Sequence, residues 1–216
     1  MAYDKSVFIL GAGASVPAGA PVLNDFLKKA RELLDNPNSL LDSDERDVFR
    51  RVFEWRGKIY PALRFLKLDL DNMENLFCLV DMAYQLGLEK KRNAKINLIK
   101  LVTRTLDLTI KFGPGEEHNT YSSFVGFLQK PKDITRTELN SIISLNYDIG
   151  CEQAFSSRGV SFTYGDPWSE VDDSAYKLLK LHGSVNWGVC PKCNYKKANA
   201  DFRDYTVLNA QSVKAY

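Results

Sequence analysis

Two kinds of hydrophobic pattern divide the chain. Three short apolar runs, Val7-Phe8-Ile9-Leu10, Ile142-Ile143-Ser144-Leu145 and Leu178-Leu179-Lys180-Leu181, each end in small or polar residues. Runs of this length, closed by turn formers, read as buried strands, and they predict strands over Lys5–Leu10, Ser141–Leu145 and Leu178–Leu181. Between the first and second runs the period becomes helical. Phe26, Leu27, Ala30, Leu33 and Leu34 share one face behind Asn24, a candidate N-cap, and Asn36-Pro37-Asn38-Ser39 breaks that helix. Asp42 with Glu45 resembles a capping box ahead of Val48, Phe49, Val52 and Phe53. Asp71 with Glu74 repeats the signal before Leu76, Phe77, Val80 and Tyr84, with Gly87 as a C-terminal cap. Ile96, Leu98, Ile99, Leu101, Val102 and Leu106 form another series, and Phe112-Gly113-Pro114-Gly115-Glu116 reads as a loop. Residues 24 to about 130 thus read as a helical layer inserted between two strands, its apolar stripes serving as core.

Composition narrows the class without naming a function. At 216 residues and 44% hydrophobic, the chain is long enough to bury a sizeable core, as one domain with an elaboration. A net charge of +2 provides no strong field for nucleic acid or an acidic membrane. No apolar stretch approaches the roughly 20 residues a membrane span needs. Met1-Ala2-Tyr3-Asp4-Lys5 leaves no room for a signal peptide, and four cysteines look unlike a secreted disulfide framework. The expected compartment is the cytoplasm.

Chemistry gathers where the three strands end, the edge at which ligands bind in open parallel α/β sheets. Gly11-Ala12-Gly13-Ala14-Ser15 follows the first, Asn146-Tyr147-Asp148 the second and His182-Gly183-Ser184 the third. Small side chains let backbone amides approach a ligand closely, which suits a dinucleotide pyrophosphate. The dinucleotide fingerprint G-x-G-x-x-G is incomplete, because Val16 occupies the third glycine position. Each residue also has a plainer reading: a glycine-rich turn, an Asp148 N-cap for a helix starting near Gly150, a hydrogen-bonded structural His182. Only one other histidine is present, His118, in an expected exposed loop.

In this order, with Cys190-Pro191-Lys192-Cys193 following, the motifs resemble the sirtuin (SIR2) family, and more closely the SIR2-like branch of bacterial antiphage-defence NADases. The resemblance covers Lys5 to Asn24 and Asn140 to Cys193. It implies a three-layer, Rossmann-like parallel sheet of sirtuin type spanning residues 1–216, with the helical layer as an insertion. It further implies that Gly11, Ala12, Gly13, Ala14 and Ser15 wrap the phosphates of NAD, the substrate, with Gly183 and Ser184 also lining its site. Asn146 would hold water and ribose near the scissile bond, Asp148 would contact the nicotinamide carboxamide, and His182 would act on ribose hydroxyls and as general base.

Departures from the family pattern select among its reactions. After the glycine turn, Gly19-Ala20-Pro21-Val22-Leu23-Asn24-Asp25-Phe26 lacks the arginine of deacylating sirtuins and shifts the phenylalanine; Leu145 replaces a ribose-binding glutamine and Tyr147 a small aliphatic residue. Asn-Tyr-Asp is similar to the strand end of SIR2-like NADases, so water is favoured over acyl-lysine as acceptor. Cys190 and Cys193 would supply half of a sirtuin-type structural zinc knuckle. Cys78 and Cys151 read instead as small buried residues. With no second C-x-x-C pair and no Gly-Thr-Ser strand, and only Tyr205-Thr206-Val207-Leu208 as a last candidate strand, the expectation is a domain cut short at its C-terminus. Rival classes are an NAD-dependent deacylase and a non-catalytic NAD or ADP-ribose module. A dehydrogenase would need the missing glycine and an acidic residue about 20 positions beyond the turn. The resemblance also implies gating by a homo-oligomer or by a defence partner such as an ATPase or Argonaute-type protein.

Overall fold

The three apolar runs become strands of one sheet. Val7–Leu10 (β1), Ser141–Ser144 (β2), Phe162–Thr163 (β3) and Tyr176–Lys180 (β4) form an all-parallel sheet in the order β1-β2-β4-β3. This is a computed structural model, which describes residues 6–63, 71–87, 92–111, 120–129, 141–164, 175–189 and 196–197. The three expected strands are adjacent and parallel; their ends differ from expectation by one or two residues, and β3 adds a short fourth strand. Gly188–Val189 (β5) and Lys196–Lys197 (β6) make a separate antiparallel pair. The chain divides into two units, Met1–Ala20 with Ile110–Tyr216, and Pro21–Thr109.

In the sheet unit, Phe8, Ile142 and Leu178 stand in register, and so do Leu10, Ser144 and Lys180. Residues paired across parallel strands face the same side. That side packs on Thr120–Leu128 (α5) and Gly150–Ser157 (α6), whose Tyr121, Val125, Leu128, Cys151, Ala154 and Phe155 join Ile142 and Leu178 in one buried cluster. On the other side Val7 and Ile9 are 58% and 68% exposed. Helix α6 starts at Gly150, as expected. Helix α5 is the last helix of the connection between β1 and β2, and it packs on the sheet.

The second unit contains Phe26–Asp35 (α1), Ser43–Leu63 (α2), Met73–Gln85 (α3) and Arg92–Thr109 (α4). The capping box forms reciprocally: the Glu45 amide donates to Asp42 Oδ1 at 2.8 Å and the Asp42 amide to Glu45 Oε2 at 3.0 Å. Two expected caps move by one residue. Asp25, not Asn24, precedes α1, and Asn24 Oδ1 accepts from Asn72 Nδ2 at 3.3 Å. Asn72, not Asp71, caps α3 by accepting from the amides of Glu74 and Asn75, while Asp71 pairs with Arg56. Gly87 follows α3 at a φ of 72°, as a left-handed cap requires. The buried seam of α3 is Met73, Leu76, Val80 and Ala83. Its 3-4-3 spacing turns Tyr84 and Cys78 outward, so the expectation of a buried Cys78 is corrected: that thiol is exposed. Among the described residues no helix is long and apolar enough to cross a membrane.

Alternation places Lys180 on the same buried face as Leu178, and only a partner makes a cation tolerable there. Its ammonium lies 3.1 Å from Glu152 Oε1 and donates to the backbone carbonyl of Asp148; the two side chains are 1% and 6% exposed. Breaking such a pair leaves an uncompensated buried charge and costs about 3–5 kcal/mol, whereas exchanging both partners for apolar residues is often neutral. Lys180→Met should therefore lower the urea midpoint sharply, and Lys180→Met with Glu152→Leu should recover much of the loss. A double variant no more stable than the single would refute the charge argument.

Candidate functional site

The glycine turn forms two tight 3₁₀ turns, Ala12–Ala14 and Val16–Ala18. Neither Gly11 nor Gly13 has a positive φ, and a Cβ at either would meet no atom within 4 Å. Among the described residues, their lack of side chains is thus required neither by backbone conformation nor by packing, and the space beside them is open to a ligand. Among the described residues, the amides of Ala12 and Gly13 meet no backbone acceptor in the turn.

At the end of β2, Asn146 turns inward and is 7% exposed. Its Nδ2 donates to the Gly11 carbonyl at 2.8 Å and to the Tyr121 hydroxyl at 2.8 Å, with Ser15 Oγ at 3.2 Å. A backbone carbonyl only accepts, so the amide nitrogen must be the atom facing Gly11. Asn146 Oδ1 has no hydrogen-bond partner among the described residues, so the carbonyl end of this side chain is the one left available.

Proton counting sets the direction of the surrounding bonds. Ser15 is 1% exposed, and its hydroxyl donates to Asp148 Oδ2 at 2.6 Å. That uses its single proton, so Tyr121, 2.7 Å away, must donate to Ser15. The result is a one-way chain from Asn146 to Tyr121 to Ser15 to the Asp148 carboxylate. Asp148 Oδ1 meanwhile accepts from the Gly150 amide at 2.9 Å, at the start of α6. Both carboxylate oxygens are thus engaged, and the plain reading of Asp148 as a cap describes half of what it does.

The third strand end is laced to the second. The Val185 amide donates to the Tyr147 carbonyl at 2.8 Å, and Ser184 Oγ reaches the same oxygen at 3.4 Å. Gly183 is buried with a φ of 80° and closes a turn by donating to the Lys180 carbonyl at 3.2 Å. This left-handed position favours glycine. The turn lifts His182 to the surface, where its ring centroid lies 6.0 Å from that of Tyr147 and, among the described residues, has no hydrogen-bond partner. Asn146 and His182 occupy matching places, two residues beyond the paired Ser144 and Lys180. Asn146 is fastened and His182 is free-standing. Cys190 and Cys193, His118, the loop 112–116 and the run 205–208 lie outside the described residues. Among those described, no group of three or more His, Cys, Asp or Glu could hold a metal.

Three residues of this network carry no sequence motif. Lys180 had a signal, a lone charge within an apolar run. Glu152 stands four residues after Asp148, one turn into α6, an ordinary helical position. Tyr121 had none, because it reads as one more member of an aromatic core stripe. Compared with protein-family models and with curated proteins, the chain matches none.

Burial pushes the Tyr121 phenol well above its ordinary value, and the Asp148 charge adds to this. Burial followed by the Glu152 charge does the same to Tyr164 and Cys151. A raised folded value favours the neutral form, so the unfolded chain releases these protons first, near pH 8.5 for a cysteine and about 10 for a tyrosine. Their contribution is complete below those values and is lost as the pH rises toward the folded ones. Urea midpoints should fall above about pH 10, and Tyr121→Phe with Tyr164→Phe should flatten that fall. An alkaline limb unchanged by removing both would show that these phenols do not govern it.

Proposed function

We propose that this chain carries a SIR2-like, sirtuin-type NAD-binding fold and hydrolyses NAD to nicotinamide and ADP-ribose. The observation that carries the reading is the 2.8 Å bond from Asn146 to the Gly11 carbonyl. It joins the two motifs that the reaction must bring together, beside glycines with open space at their α-carbons. Cleaving the nicotinamide–ribose bond expels a neutral pyridine and leaves oxocarbenium character on the sugar. Little acid assistance is needed at the leaving group. The protein must orient the substrate, stabilise the developing charge and position a nucleophile. The Asn146 carbonyl, held by its anchored amide, is suited to accept a hydrogen bond from water or a ribose hydroxyl, and His182 to take up a proton.

Roles within the binding set follow from which groups are still available. Gly11, Ala12, Gly13 and Ala14 would face the diphosphate. Ser15, Asp148 and Ser184 have hydroxyl or carboxylate groups already bonded within the protein, so their contribution is to shape the site. Contact of Asp148 with the nicotinamide carboxamide requires it to release Ser15 or the Gly150 amide. An unrestrained NADase would exhaust its own cell, so we assign its restraint to self-assembly or a defence partner.

Incubation of the purified chain with NAD, in the absence of any acyl-peptide, should release nicotinamide and ADP-ribose in equal amounts. Asn146→Ala and His182→Ala should each reduce turnover by about 10²–10⁴-fold, the range of a lost acid–base group. Gly11→Leu and Gly13→Leu should weaken NAD binding while leaving the urea midpoint nearly unchanged. Release that depends on an acyl-peptide would point to a deacylase. Tight NAD binding with no release, across protein concentrations and sizing-column fractions, would point to a non-catalytic module.

A further inference from the structure

We infer that Tyr121 is a positioning residue that sets which end of the Asn146 amide faces the substrate, an inference that rests on the hydrolase reading for its kinetic consequence. The amide has two protons and two short acceptors, the Gly11 carbonyl and the Tyr121 oxygen, both at 2.8 Å. The Gly11 carbonyl also accepts from the Ala14 amide at 2.9 Å, so the glycine turn alone holds one edge of the Asn146 side chain. The other edge meets Tyr121 at 2.8 Å, with Ser15 Oγ a longer second acceptor at 3.2 Å. A tyrosine oxygen could orient its proton toward Asn146 only if that group offered an acceptor, and here its proton is committed to Ser15. Toward Asn146, Tyr121 therefore presents a lone pair. The amide nitrogen is drawn inward and the carbonyl is left outward, where it can order a water or a ribose hydroxyl.

Three features make this more than a local contact. The Tyr121 ring is 1% exposed within the core cluster formed by α5, α6 and the sheet, so its hydroxyl is delivered by a rigid helix. The chain ends on Asp148, whose acceptor-only carboxylate fixes the direction of every preceding bond. A directed chain of this kind polarises each successive bond, which strengthens the hold on Asn146. Reversing Asn146 would set its carbonyl against the Gly11 carbonyl, and the Tyr121 and Ser15 hydroxyls beside it have already committed their protons.

Tyr121→Phe keeps the packed ring and removes only the oxygen. In the full chain it should lower kcat on the order of 10²-fold, the cost of a small misplacement of a reacting group, with KM changed less than about twofold. Asn146→Ala added to Tyr121→Phe should cost far less than Asn146→Ala alone, because the two substitutions disable one device. A readout independent of turnover is the side-chain NH₂ resonance pair of Asn146, assigned by its loss in Asn146→Ala. In the wild type both protons should be protected from solvent exchange, and Tyr121→Phe should expose one. An unchanged pair, or full kcat in Tyr121→Phe, overturns the inference. A wild-type chain that releases no nicotinamide overturns the hydrolase reading instead, and the NH₂ pair then decides the role of Tyr121 alone.

Discussion

A backbone carbonyl can only accept, and much at the candidate site depends on that constraint at Gly11. It compels Asn146 to point its amide nitrogen inward, which sends the side-chain carbonyl outward. The donor requirement passes to Tyr121, then Ser15, and ends at the Asp148 carboxylate, which can take no other role than acceptor. Two acceptor-only groups at the ends of a chain of amphoteric hydroxyls leave one arrangement of protons. Four residues separated by up to 133 positions in sequence are locked into a single state, and the orientation of the Asn146 amide follows from it.

The same strand ends bind stability to the site. Lys180 emerges from β4 into the core and grips both Glu152 and the carbonyl of Asp148. The peptide that presents Asn146 and Asp148 is thereby held from beneath by an ion pair and from the side by the Val185 amide on the Tyr147 carbonyl. Such a pair is a costly way to stabilise a sheet, since burying two charges returns little net energy. Its value lies in geometry: a charged anchor tolerates less displacement than an apolar contact. His182 is treated in the opposite way, on an exposed turn with no hydrogen-bond partner among the described residues.

How much of this was legible depends on the reach of the signal. The strands are legible because each is a short apolar run closed by small or polar residues, and their parallel arrangement because all three runs carry those residues at the carboxyl end. The capping box at Asp42 and Glu45 could be read because both partners lie within one turn. The caps at Asn24 and Asp71 moved by one residue because Asp25 and Asn72, adjacent polar residues, compete for the same place, and sequence does not rank them. Residue type places Cys78 in the core, but helical phase, set by Met73, Leu76, Val80 and Ala83, turns it outward. Tyr121 was invisible for a deeper reason. Its hydroxyl matters through partners 25 and 106 positions away, and nothing local separates it from a tyrosine that merely fills space.

We propose that NAD meets this chain at the joined ends of β1 and β2, with the Asn146 carbonyl turned toward the ribose. A crystal structure of the His182→Ala variant, chosen for slow turnover and soaked with NAD, tests this placement. The diphosphate should lie against the α-carbons of Gly11 and Gly13, and the nicotinamide ribose within hydrogen-bond reach of Asn146 Oδ1, directly or through one water. NAD seated elsewhere on the chain, or an Asn146 whose nitrogen and not its oxygen faces the sugar, would contradict it.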